Sequence, residues 1–133
     1  MSTTDAVKKA VLAAKIIALG DQSGIHFIRV ADRFGFGPEL KSRMKLIQGG
    51  GVAVATAVAN GEADMAVTLM SEILSVPGVD VAGPLPPEMQ NIIITFAVLV
   101  PYGKESEGGK ALINFLTTPA AINVFKSKGQ EPG

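Results

Sequence analysis

The chain has no cysteine, no tryptophan, one tyrosine and one histidine. Without cysteine there is no disulfide, no thiolate metal site and no cysteine nucleophile, although that absence leaves the compartment open. Aromatic residues make up only 5% of the sequence, which argues against a base-stacking platform for nucleic acid. Charge of one sign is also missing. Twelve basic and twelve acidic residues cancel, so no net field draws the chain to nucleic acid or an anionic membrane. The apolar run 92–100 is interrupted by Thr95 and is far too short to cross a bilayer, so no membrane insertion is expected. The opening Met1-Ser2-Thr3-Thr4-Asp5 lacks a basic stretch followed by an unbroken apolar one, so no signal peptide is expected there.

What is present is enough to build a core. At 133 residues the chain has room for one compact domain, and a domain of that size buries roughly two thirds of the surface its unfolded chain exposes. Hydrophobic residues at 47% and charged residues at 18% exclude intrinsic disorder.

Strand and helix patterns alternate along the sequence. Val7, Ala10, Val11 and Ala14 recur at helical spacing behind a cap at Thr4 or Asp5. Ile16-Ile17-Ala18-Leu19 reads as a short buried strand, broken by Gly20-Asp21-Gln22-Ser23-Gly24, after which 25–34 is helical. A short helix is expected over 39–43, a strand over 44–47, and a helix over 52–59 stopped by Asn60-Gly61. Further strands are expected over 63–69 and 79–82, with a short helix at 71–74 between them. The stretch 91–100, rich in Ile, Val, Phe and Thr, is the longest strand candidate. Two helices close the chain, 106–116 and then 120–127 after the Thr118-Pro119 start signal. This alternation predicts an α/β fold with a mostly parallel sheet flanked by helices.

Two strand-to-helix junctions could hold chemistry, Asp21-Gln22-Ser23-Gly24 and Gln48-Gly49-Gly50-Gly51-Val52. Helix N-termini at the carboxyl ends of strands present free N–H groups to anions. The same residues also read simply as turn glycines and a capping serine. Neither stretch is a phosphate-binding loop of the Gly-Lys-Ser/Thr kind, and Gly35-Phe36-Gly37-Pro38 lacks the third glycine of a dinucleotide fingerprint. Catalysis is not expected: His26 lies among Ile25, Phe27 and Ile28, where packing or capping explains it, and no Ser/His/Asp order or metal-ligand cluster emerges. Glu62 and Asp64 read either as a paired-carboxylate site or as a solvated loop edge, and Ser71-Glu72 as the capped start of a short helix.

Val7-Lys8-Lys9-Ala10-Val11-Leu12-Ala13-Ala14-Lys15, Ser23-Gly24-Ile25-His26-Phe27, Gly49-Gly50-Gly51-Val52, Asn60-Gly61-Glu62-Ala63-Asp64, Ser71-Glu72-Ile73-Leu74, Pro77-Gly78-Val79-Asp80, Gly83-Pro84-Leu85-Pro86 and the closing Ala111-Leu112-Ile113-Asn114-Phe115-Leu116-Thr117-Thr118-Pro119-Ala120-Ala121 occur in that order. Together they resemble the molybdate-type branch of the type II periplasmic solute-binding proteins, the substrate-capturing components of ABC importers. The resemblance implies ligand held in a cleft between two α/β lobes joined by crossover strands. It assigns this chain to the second lobe, the α/β part at about 1–100 and the C-terminal helices at 104–133, with the N-terminal lobe and its signal peptide absent from it.

Carried over by position, the ligand contacts fall at Ser23 and Gly24 on one helix N-terminus and at Gly51 and Val52 on the other. The position at which molybdate binders of this group place a tyrosine hydroxyl is Leu69, whose side chain cannot donate. A small organic acid or other polar solute is then as fitting as molybdate. The implied function is a non-enzymatic module for a small anionic or polar solute, without metal or cofactor, partnered by an ABC transporter membrane component and periplasmic in origin. The alternative is a stand-alone cytoplasmic lobe acting as an oligomeric small-ligand sensor or scaffold. Leu112, Ile113, Phe115 and Leu116 form an apolar face that predicts a homodimer, domain-swapped or not.

Overall fold

The computed structural model describes residues 3–100, 102–103 and 106–132. Its elements run α1 (Thr4–Ala13), β1 (Ile17–Leu19), α2 (Asp21–Arg33), α3 (Gly37–Lys41), β2 (Met44–Leu46), α4 (Gly50–Ala59), β3 (Met65–Val67), α5 (Met70–Ile73), a 3-10 turn (Pro87–Met89), α6 (Ser106–Leu116) and α7 (Pro119–Ser127). The chain divides into two compact units, Met1–Asn91 and Ile92–Gly133.

In the first unit three parallel strands form a sheet in the order β2-β1-β3, with Ile17 opposite both Met44 and Met65. Central β1 is buried throughout, and the alternation of a strand sends its side chains to two different cores. Ile17 and Leu19 join Val7, Val11, Phe27, Val30, Phe36, Leu40 and Met89 on one face. Ala18 points the other way, to Val54, Ala57 and Ala63. Two helical layers therefore cover one sheet, the α/β arrangement that the alternating pattern predicts.

Helix α1 is capped by Thr3 rather than by Thr4 or Asp5: the Thr3 hydroxyl accepts from the Ala6 N–H at 3.2 Å. Helix α2 begins at Asp21, so the stretch read as a break is the helix's first turn. The single residue Gly20 makes the turn out of β1 with no side-chain cap. Residues 79–82 are not part of the sheet, and 92–100 make no strand ladder either. Strand propensity in that stretch finds no neighbouring strand, and Ile92, Phe96 and Val98 stand about four-fifths exposed (77%, 78% and 80%).

Residues 85–90 close the first unit across α1 and α2. Met89 is fully buried, and its carbonyl lies 3.1 Å from His26 Nε2, which must carry the proton because a carbonyl only accepts. The Arg33 guanidinium donates to the Glu88 carbonyl, and the Thr4 hydroxyl donates to Glu88 Oε1 at 2.6 Å. The lone histidine is thus a packing and anchoring residue.

Three exposed carboxylates staple distant segments. Asp64 Oδ2 accepts from the backbone N–H groups of Ile16 and Lys15, each at 2.8 Å, and those bonds hold its pKa below the ordinary 3.8. Glu62 is lowered by its hydrogen bond and ion pair with Lys45, and Glu88 by the Thr4 hydroxyl. Groups with depressed folded pKa values contribute stability that is complete above the unfolded value and is lost as pH falls through the folded one. Melting temperature should therefore hold steady from neutral pH to about pH 5 and fall below about pH 4. Asp64→Asn should flatten that acid limb; an unchanged limb would show that the Asp64 bonds do not bear on stability.

In the second unit, Thr118 caps α7 by accepting from the Ala121 N–H, and Pro119 occupies the first helical position, as its start signal predicts. Gly109 lets α6 come close to Leu99: any Cβ there would overlap that side chain. Leu112 and Phe115 are exposed.

Candidate functional site

All three strands run directly into helices at their carboxyl ends: β1 through Gly20 into α2, β2 through 47–49 into α4, and β3 through Thr68 and Leu69 into α5. Parallel pairing places these three junctions on one edge of the sheet, where open α/β folds bind ligands. Gly20 and α4 lie close together, since a Cβ on Gly20 would sit 3.1 Å from Val54 Cγ2. Gly49 makes the turn into α4 with φ at 103°, a left-handed conformation that glycine adopts without penalty.

The candidate residues take different positions at this edge. Ser23 is the third residue of α2, half-buried, with its hydroxyl in the first turn. Gly24 is buried beside Leu19, and its N–H is already bonded to the Gly20 carbonyl at 2.9 Å. Its contribution is close packing of helix on strand. Val52 is half exposed and lines an open groove of about 490 Å³ along α4 with Ile47, Gly49, Thr56, Asn60 and Glu62. Neither Thr68 nor Leu69 lines that groove.

Gly51 and Leu69 are brought together by a residue outside the predicted set. The Glu72 carboxylate accepts from the Gly51 N–H at 3.3 Å through Oε1, and through Oε2 from the Leu69 N–H at 3.3 Å and the Thr68 hydroxyl at 2.6 Å. A Cβ at Gly51 would overlap the Glu72 carboxylate and the Thr68 hydroxyl where they stand, so a side chain there would push both aside. Glu72 is legible in the sequence as an acidic residue in the first turn of a short helix, but nothing there shows that it also reaches α4, 21 residues back.

Glu62 and Asp64 do not act as a pair: the first meets Lys45 at 2.8 Å and the second caps Lys15 and Ile16. Among the described residues no group of His, Asp or Glu is arranged to hold a metal ion, and no helix is long and apolar enough to cross a membrane.

The bacterial extracellular solute-binding protein family matches residues 2–131, nearly the whole chain. The chain belongs to that family. The match covers the three junctions and both units. An aconitate isomerase from Pseudomonas sp is 26% identical over 134 residues, covering 99% of this chain and 50% of that protein. The chain thus spans half the length of this curated relative. No solved structure matches the chain. The family is one of extracellular proteins.

Proposed function

We propose that this chain is one lobe of a solute-binding protein, non-enzymatic, that takes a small anionic or polar solute at the edge where β1, β2 and β3 meet their helices. The observation that carries the reading is the family match over 2–131 together with the convergence of three strand ends. In this reading the Ser23 hydroxyl and the first turn of α2 supply donors to the solute, while Gly51, Val52 and Leu69 form the opposite rim. A small organic acid fits better than molybdate, because Leu69 offers no side-chain donor and an oxyanion site that loses a donor is left with an unpaired charge. The relative's name, with its tricarboxylate substrate, supports the same preference. A lobe of this kind delivers solute to the membrane component of an ABC importer, and the exposed Leu112 and Phe115 support pairing with a second copy.

The non-enzymatic part of the reading is supported by the structural engagement of three titratable groups that could otherwise serve as acid or base. His26 is held by Met89, and Asp64 and Glu62 are tied to separate partners.

A thermal-shift panel of molybdate, tungstate, sulfate, phosphate, aconitate, citrate and succinate at low salt, with oligomeric state recorded by sedimentation, tests the proposal. A bound solute at about 100 times its Kd stabilises by about 2.7 kcal/mol, a rise of several degrees for a chain of this size. A carboxylate should give that rise, and Ser23→Ala should shrink it. A flat panel from folded protein overturns the binding reading; interconversion of cis- and trans-aconitate by the purified chain overturns the non-enzymatic one.

A further inference from the structure

The anion-accepting position at the start of α4 already has an occupant. Glu72 reaches from α5 and draws in the Gly51 N–H, the Leu69 N–H and the Thr68 hydroxyl, donors from two separate strand-to-helix junctions meeting on one carboxylate. The absence of a side chain at Gly51 is what makes room for it. No lysine or arginine among the described residues pairs with Glu72, so its charge is held by N–H dipoles and one hydroxyl alone. A second negative group brought to the same donors would lose them to Glu72 and meet its charge at close range.

We propose that Glu72 sets the charge selectivity of this rim: a built-in carboxylate that bars anionic groups from the α4 end of the site. The proposal rests on the solute-binding reading and sharpens it, because it limits which part of a solute can lie against Gly51 and Leu69.

The test is an amide-resolved NMR titration of the full chain with sodium sulfate, against sodium chloride at matched ionic strength. In the wild-type chain the Gly51 and Leu69 amides should move no more with sulfate than with chloride. In Glu72→Gln they should move saturably, with an apparent sulfate affinity at least about ten-fold tighter, the value of roughly one charge-assisted hydrogen bond regained. Glu72→Ala, which also clears the space, should behave the same way, and the same spectra report whether each variant is folded.

A sulfate-specific, saturable shift of Gly51 in the wild-type chain would overturn the proposal without need of any variant. So would folded Glu72 variants whose Gly51 amide still ignores sulfate, since the carboxylate would then not be what keeps anions out. A flat solute panel alongside a gain of sulfate binding in Glu72→Gln would sink the solute-binding reading and leave the selectivity intact.

Discussion

Phe27→Ala will lower the stability of the first unit by about 3–5 kcal/mol, the cost of emptying a filled aromatic position in a core. Phe27 is fully buried on the inner face of α2, with its ring tilted 60° against Phe36 at a centroid distance of 6.3 Å. Ile17 and Leu19 from β1 belong to the same cluster. Removing the ring leaves a space bounded by a sheet and a second aromatic, neither of which can collapse into it freely. Urea unfolding should show a lower midpoint with little change in slope. A loss of less than about 1 kcal/mol would mean that α2 is not seated on β1 as described.

Gly24→Val is the second large effect, and it bears on the site as well as on stability. A Cβ on Gly24 would stand 2.9 Å from Leu19 Cβ, with backbone atoms of Leu19 at 3.6 and 3.7 Å behind it, so the helix itself must move. Overpacking of this kind costs about 1–3 kcal/mol, and the branched valine side chain places it at the upper end. Gly24→Ala should cost less, because alanine recovers about 1 kcal/mol of helix propensity over glycine. The displaced part of α2 is its first turn, which carries Ser23. Any solute that stabilises the wild-type chain should therefore bind Gly24→Val more weakly than the loss of stability alone explains. A valine variant that melts with the wild type would show that α2 and β1 do not approach so closely.

The same glycine explains one failure of sequence reasoning. Gly20-Asp21-Gln22-Ser23-Gly24 is made of turn-forming residues, and a glycine inside a helix ordinarily weakens it. Here Gly24 is required by the approach of Leu19, a tertiary fact invisible to local propensity. Elements whose signals are local were legible. Strands β1 and β2 fall inside the apolar runs that predicted them, α4 stops at Asn60, and Thr118-Pro119 opens α7. The stretch 92–100 has equally strong strand composition, but a strand is completed by its neighbour, and composition cannot supply one. At the candidate site the glycines of the α4 junction were legible as backbone that something approaches. That the approaching group is Glu72 depended on the β3–α5 connection folding back over α4.

The closing segment at residues 85–90 has a kinetic consequence. Thr4 bonds to Glu88 across 84 residues, His26 to Met89 across 63 and Arg33 to Glu88 across 55. The buried Met89 completes a core whose other members lie mostly in the first forty residues. The unit cannot finish assembling from any local piece, so its folding should be slow for its size and should wait on the synthesis of its last few residues. Until Met89 arrives, the α1–α2 face of the nascent chain stays uncovered and open to chaperones or to other copies of itself.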